Sequence, residues 1–235
     1  MELINSTSLR CFPLEMDWRE CIEAAAKSGY KGIEVNFDGR FELDCPQNTL
    51  QELKSCVEQE GIQIVSVYSR QQWKTPISSR DPKKRKRGIQ ALERLIEIAA
   101  FLGAPTILTI PGAVDNSILS PEVEILPYRE VYHRVQEVIG DLARRAESAG
   151  VILALENVPN KFLLSPLEFR RFLEELGSPA VGCHFDVANC LYGGGYPEDW
   201  IRTLGNWIKA VHVKDYKVSA GTLAGFCDIF EGDVN

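Results

Sequence analysis

The chain has seven cysteines but no C-x-x-C pair, and seven is an odd number. That argues against a disulfide framework and against a thiolate zinc site. Free thiols in a reducing cytoplasm are expected instead. Histidine is scarce, at three residues. Net positive charge is absent: the formal charge is −7. The field of the whole molecule repels phosphate backbones, so no nucleic-acid partner is expected. No apolar run approaches membrane-spanning length, and the opening MELINSTSLR lacks the apolar centre of a signal peptide. A membrane partner is therefore not expected either. No G-x-G-x-x-G follows the first expected strand, which weakens a dinucleotide-binding fold. No long linker or low-complexity stretch divides residues 1–235, which read as a single domain.

What is present is a repeat. An amphipathic segment ends, a glycine follows, and a short β-rich run begins. Gly29 leads into GIEVNF, Gly61 into IQIVSVY, Gly103 into PTILTIPG, and Gly150 into VILALENV. Gly177 leads into VGCHFDVAN and Gly205 into IKAVHVKD. Glycine after a helix supplies the left-handed cap. The runs are apolar on both faces, as strands of a buried parallel sheet are. With an opening strand near Leu3–Arg10 this makes seven strands, and alternating βα units predict a (β/α)8 barrel of the TIM type. Only seven strands are counted, and the eighth is expected to be missing. Helices are expected at Asp17–Lys27, around Ile89–Ala99, over Tyr128–Ala149, and after the S-P-L-E capping box at Ser165. The basic run Lys83–Arg87 opens a helix and reads as a solvated face.

VILALENV raises a chemical question. Five apolar residues run into Glu156 and Asn157. Barrel active sites lie at the carboxyl ends of the strands. Side chains alternate along a strand, so Ile152, Ala154 and Glu156 share a face. The same parity turns Glu34 and Asn36 inward on the second strand. It turns His184 and Asp186 inward on the sixth, and His212 and Lys214 on the seventh. Buried like charges need a counter-ion. A divalent cation supplies one. Glu, Asp and His suit Mn2+ first, with Mg2+, Co2+ or Zn2+ as alternatives.

In that order, LALENV, VGCHFDVAN, AVHVKDY and FEGDVN resemble the sugar phosphate isomerase/epimerase group of xylose-isomerase-like barrels. The likeness extends to NKFLLSPLEFRRF and GYPEDWIRTLG. It implies a ketose or ketose-phosphate epimerase or isomerase. It also implies that one metal is held by Glu156, Asp186, His212 and Glu231, the last known from the resemblance alone. Glu156 and Glu231 would then take and return the proton on opposite sides of the reacting carbon. One departure stands out: relatives often carry His-Pro-Gly after the fourth strand, where this chain has Ile110-Pro111-Gly112.

The remaining candidates are read two ways each. Lys214 holds a substrate oxygen or phosphate, or makes a salt bridge with a local carboxylate. Glu34 bonds a metal ligand or a sugar hydroxyl. Asn157 and Asn189 orient ligands or cap loops. Tyr68, with Trp73, lines a sugar pocket or packs a loop. His184 is read as an interior histidine and His133 as a surface one. The expected partner is a small sugar or sugar phosphate, with a homo-oligomer as a further expectation. Two other functions share the barrel: a metal-dependent abasic-site endonuclease and a non-catalytic sugar-binding protein. The three histidines and the negative charge count against the first.

Overall fold

The structure, a computed structural model, describes residues 3–117 and 123–235. Seven parallel strands form its sheet: β1 Ser6–Ser8, β2 Gly32–Asn36, β3 Gln63–Tyr68, β4 Thr106–Thr109, β5 Ile152–Glu156, β6 Val181–Asp186 and β7 Ile208–His212. They pair strictly in chain order. The connecting helices are α1 Trp18–Lys27, α2 Gln47–Gln59, α3 Gln71–Lys74, α4 Pro82–Leu102, α5 Tyr128–Ala149, α6 Pro166–Leu176, α7 Val187–Tyr192 and α8 Pro197–Leu204. This is the expected βα alternation. Among the described residues β1 and β7 do not pair with each other, so the sheet is an open arc with two edges.

The helices form where the apolar spacing places them. α4 buries Leu92, Leu95, Ile96, Ala99 and Leu102 on one stripe, and the basic run at its start stays exposed or half-buried. α1 begins with a full capping box that the sequence reading passed over: Asp17 accepts from Arg19 N at 2.9 Å, and Glu20 accepts from Asp17 N at 3.3 Å. The expected box at Ser165 is only half made. Ser165 Oγ accepts from Glu168 N, but the Glu168 carboxylate takes Leu164 N and the Tyr128 hydroxyl instead. One carboxylate oxygen goes to a tertiary partner on α5 and the other to the backbone one residue before the cap.

The main core lies between strands and helices and joins Ile33, Val35, Leu153, Leu155, Val181 and Phe185 to the helix stripes. A separate small cluster of Tyr68, Trp73, Leu108 and Ile110 is buried apart from it, with Val158 packed alongside. After β7 the chain adds a feature absent from the sequence reading. Strands β8 Asp215–Tyr216 and β9 Phe226–Cys227 pair antiparallel. All seven cysteines are free. Among the described residues no helix is long and apolar enough to cross a membrane.

Candidate metal centre

Two irregularities in the sheet decide which side chains look inward. Neighbours in register on parallel strands present their side chains to the same face. Between β6 and β7, Cys183 pairs with Ile208 but His184 pairs with Ala210, which leaves Lys209 as an extra residue. Ile208 follows Cys183 toward the helix-side core. Past the bulge, Ala210 and His212 follow His184 and Asp186 into the barrel. The same device recurs between β2 and β3, where Ile33 pairs with Ile64 and Glu34 with Ser66, leaving Val65 extra. A glycine faces each bulge. A Cβ on Gly32 would lie 2.5 Å from Val65 Cγ1, and one on Gly182 would clash with the Lys209 stem and lie 2.8 Å from Trp207 O. Glycine is needed at both places because the bulged strand comes so close.

With that parity, Glu156 lies level with His184, and Asp186 with His212, at the carboxyl ends of the strands. One ligand atom each from Glu156, Asp186 and His212 gathers within 4.8 Å. His212 Nδ1 lies 3.4 Å from Glu156 Oε1 and 3.9 Å from Asp186 Oδ2. On the other side of the ring, Nε2 lies 3.4 Å from Glu34 Oε2. Burial works against a charged His212, but the Glu34 carboxylate and contacts with Glu156 outweigh it and raise its pKa to about 10. Burial likewise opposes a charged Glu34, yet the facing His212 lowers it to about 2. Burial drives His184 down to about 3, so its imidazole is neutral.

These residues fit a divalent ion. Two carboxylates and an imidazole are the hard-to-borderline donor set expected for one. His212 Nδ1 is buried and has no hydrogen-bond partner. With Nδ1 toward the carboxylate pair, Nε2 is turned to Glu34, the arrangement in which a carboxylate orients a metal-binding histidine. Glu34 is itself held by its neighbours: Asn36 Nδ2 donates to its Oε1 at 3.3 Å, and the Ser8 hydroxyl lies 3.1 Å from the same oxygen. A second group of possible ligands, Glu34, His184 and His212, shares the same imidazole. His184 packs edge-on against His212, ring centroids 4.1 Å apart, and both of its nitrogens lack partners.

The other expected residues divide. Lys214 makes the salt bridge that was one of its two readings, with Nζ 2.5 Å from Asp186 Oδ2. Asn157 is buried and latched to a neighbouring backbone. Its Nδ2 donates to Asp186 O at 2.8 Å and its Oδ1 accepts from Asp186 N at 2.7 Å. Both polar atoms of the amide are thereby engaged with the backbone of the strand that carries Asp186. Asn189 reaches Asp186 through its backbone: its N–H donates to Oδ1 at 2.8 Å, at the start of α7. Tyr68 is buried beside the centre, and burial together with the Glu156 charge pushes its hydroxyl pKa up. His133 is on the surface, as expected.

Glu231 is not among the gathered atoms. It is exposed, in a segment after β9, and the expected four-ligand set is three residues in this structure. What the sequence reading missed is the residue that holds this segment. Asp215 has the opposite parity to His212 and Lys214, so inward alternation does not mark it. Its carboxylate is buried and accepts from Tyr216 N, Phe230 N, Gly232 N and Val234 N at 2.8–3.0 Å.

The chain matches the family described as xylose isomerase-like TIM barrel over residues 22–234. Among curated proteins it is similar to "Putative L-ribulose-5-phosphate 3-epimerase SgbU" of Haemophilus influenzae. That match is 26% identical and covers 94% of this chain and 76% of the relative. It is also similar to a ketose 3-epimerase of Arthrobacter globiformis, 24% identical over 72% of this chain and 56% of that protein. Both relatives are named as epimerases, a class of isomerase. Among solved structures, D-psicose 3-epimerase in the presence of D-fructose superposes with a TM-score of 0.78. The identity there is 21%, covering 89% of this chain and 72% of the other. The matched span takes in every strand of the arc from β2 onward and all three gathered ligands, so this chain belongs to the xylose isomerase-like TIM barrel family.

Proposed function

We propose that this chain is a divalent-metal-dependent epimerase or isomerase of a ketose or ketose phosphate, working in the cytoplasm. The observation that carries the proposal is the convergence of Glu156, Asp186 and His212 at the carboxyl ends of three adjacent strands. The names of the relatives support the substrate class, and the phosphorylated one among them supports a sugar phosphate. A bound ion, Mn2+ in preference to Mg2+, Co2+ or Zn2+, would polarise a ketose carbonyl as a Lewis acid.

The chain's own residues supply the rest. Glu156 removes the proton from the carbon beside the carbonyl, and the electron pair left behind becomes the enediolate. Glu231, carried on the segment after β9, returns a proton from the opposite face and inverts the centre. Return to the neighbouring carbon instead gives the isomerase. Such acid–base help contributes roughly 10²–10⁴-fold. Lys214 serves the substrate oxygens beside its salt bridge to Asp186, and Glu34 keeps the His212 ring in its tautomer. Asn189 and Tyr68 border the substrate, with Tyr68 in an apolar wall with Trp73, Leu108 and Ile110.

The test is solvent deuterium exchange at C3 of ketoses and ketose phosphates with Mn2+ present. Exchange in the parent protein and its loss in Glu156→Gln, with some metal binding kept, is the expected pattern. The amide retains an oxygen donor but takes no proton. Near-normal exchange in that variant would place the base elsewhere. Cleavage of an abasic duplex without sugar exchange would transfer the chain to the endonuclease reading.

A further inference from the structure

His184 is 2% exposed, and neither of its ring nitrogens has a hydrogen-bond partner among the described residues. Buried polar groups are paired as a rule, and an orphan marks a place for an ion or a water. His184 does not stand alone. Among the described residues six buried side-chain atoms have no partner, and four of them belong to Glu34, His184 and His212. Ser8 and Asn36 engage Glu34 Oε1, which leaves Oε2 without a hydrogen bond, 3.4 Å from His212 Nε2. The His184 ring stands edge-on to the His212 ring, with centroids 4.1 Å apart. One ligand atom from each of the three residues lies within 4.8 Å of the other two. Ser66 is level with Glu34 across β2 and β3 and adds a buried hydroxyl that is also unpartnered.

This group differs in chemistry from Glu156, Asp186 and His212. It has two imidazoles and one carboxylate, where the other has one imidazole and two carboxylates. Imidazole suits Zn2+, while carboxylate suits Mn2+ or Mg2+. Two histidines and a glutamate are a donor set that zinc takes. The two groups share one ring but use opposite sides of it. Nδ1 faces Glu156 and Nε2 faces Glu34, with a carboxylate oxygen 3.4 Å from each nitrogen. A neutral imidazole has one lone pair and one N–H. With an ion on Nδ1, the Nε2–H turns to Glu34. With an ion on Nε2, the Nδ1–H turns to Glu156. One neutral ring therefore serves one ion at a time. We propose that Glu34, His184 and His212 form a second cation site, selective for Zn2+, whose occupancy excludes Mn2+ from Glu156, Asp186 and His212. The second site stands on its own residues, and only the exclusion rests on the reading of the first group as a metal site.

The experiment titrates the full chain with Zn2+ and, separately, with Mn2+ by calorimetry, in the parent, His184→Leu and Asp186→Asn. Zn2+ is then added to the Mn2+-loaded parent, and released Mn2+ is counted by its paramagnetic resonance signal. Loss of a group that only orients a ligand costs roughly 10–100-fold in metal affinity, so loss of a ligand is expected to cost at least ~100-fold. His184→Leu should lose that much affinity for Zn2+ and keep the parent affinity for Mn2+. Asp186→Asn, which keeps an acceptor for the start of α7, should do the reverse. In the parent, each Zn2+ bound should release one Mn2+. His184→Gln keeps a polar group in place and serves if His184→Leu fails to fold. Unchanged Zn2+ affinity in the His184 variants would overturn the second site, and so would parallel losses of both ions. Equal losses of Zn2+ and Mn2+ in Asp186→Asn would put both ions at the first group and overturn it as well. Zn2+ binding without Mn2+ release would overturn the exclusion. A parent that binds no Mn2+, yet binds Zn2+ through His184, would remove the first-site reading and the exclusion and support the second site.

Discussion

Glu156 and Asn157 are neighbours, and the sequence marks both. They act in different directions. The carboxylate faces the barrel interior with Asp186 and His212, while the amide next to it closes a two-point latch on the Asp186 backbone. Asn157→Ala should leave buried backbone groups of Asp186 unpaired. A cost of about 1–3 kcal/mol is expected for each such group, read by denaturant unfolding, together with weaker Mn2+ binding. A pH effect belongs to a different pair. Lys161 Nζ lies 2.7 Å from Asp115 Oδ2 and ties the loop after β5 to the loop after β4. Hydrogen bonds from Lys161 and Ser117 lower the Asp115 pKa to about 2. A depressed carboxylate stabilises the fold above its unfolded pKa, about 3.9, and loses that contribution as pH falls through the folded value. The tie should hold at pH 5 and release between roughly pH 4 and 2. Carboxyl chemical shifts of Asp115 would follow it, and Lys161→Met should bring the midpoint back toward the ordinary range.

At the scale of the element, the bulges at Lys209 and Val65 matter more than strand propensity. Alternation turns Ala210, His212 and Lys214 inward at the end of the last strand, and carried back unbroken along that strand it would turn Ile208 inward as well. That holds for Ala210 and His212, but Ile208 lies on the other side of the bulge and packs with the helices. The strand runs were legible because burial on both faces makes them continuously apolar. A bulge leaves no such mark, because it depends on the register against a neighbour distant in sequence. Its trace was Gly182, which a reader of one strand takes for a small residue in a tight place. Gly182→Ala should force the Lys209 stem and the Trp207 carbonyl away. About 1–3 kcal/mol of destabilisation is expected for such overpacking. Because the displaced strand carries His212, Mn2+ affinity should fall as well. Chemical denaturation and calorimetry on the same variant would show both, and unchanged metal binding would mean that the bulge does not set the His212 ring.

For the whole molecule, the open arc has consequences. Among the described residues β1 and β7 each have one unpaired side, and the outer residues of the β7 end are uncovered: Val211 is 42% exposed and Val213 61%. Unpaired strand edges with apolar side chains favour pairing with another chain. Light scattering on this 235-residue chain should therefore show a mass that rises above 26.3 kDa with concentration. Val211→Lys, within β7, should suppress the rise, since a charge on an edge strand opposes pairing. A constant monomer mass in both would mean that the edges are protected in solution.

The sequence by itself determined the fold class, the seven-strand count and three of the centre's residues. Each of these depends on a period read along one strand or helix: apolar runs bounded by glycine, and charged side chains spaced by two at strand ends. The tertiary structure decided everything that depends on two strands at once. It set the register that brings Glu156, Asp186 and His212 within 4.8 Å, and the bulges that turn His212 and Tyr68 inward. It paired Lys214 with Asp186 and turned the Asn157 amide to a backbone. It also put a buried Asp215 under four N–H groups, three of them from residues fifteen to nineteen positions away. Alternation along a strand says which way a side chain points. Only the packing of one segment on another says what it meets there, because hydrogen bonds and charges act across space and not along the chain.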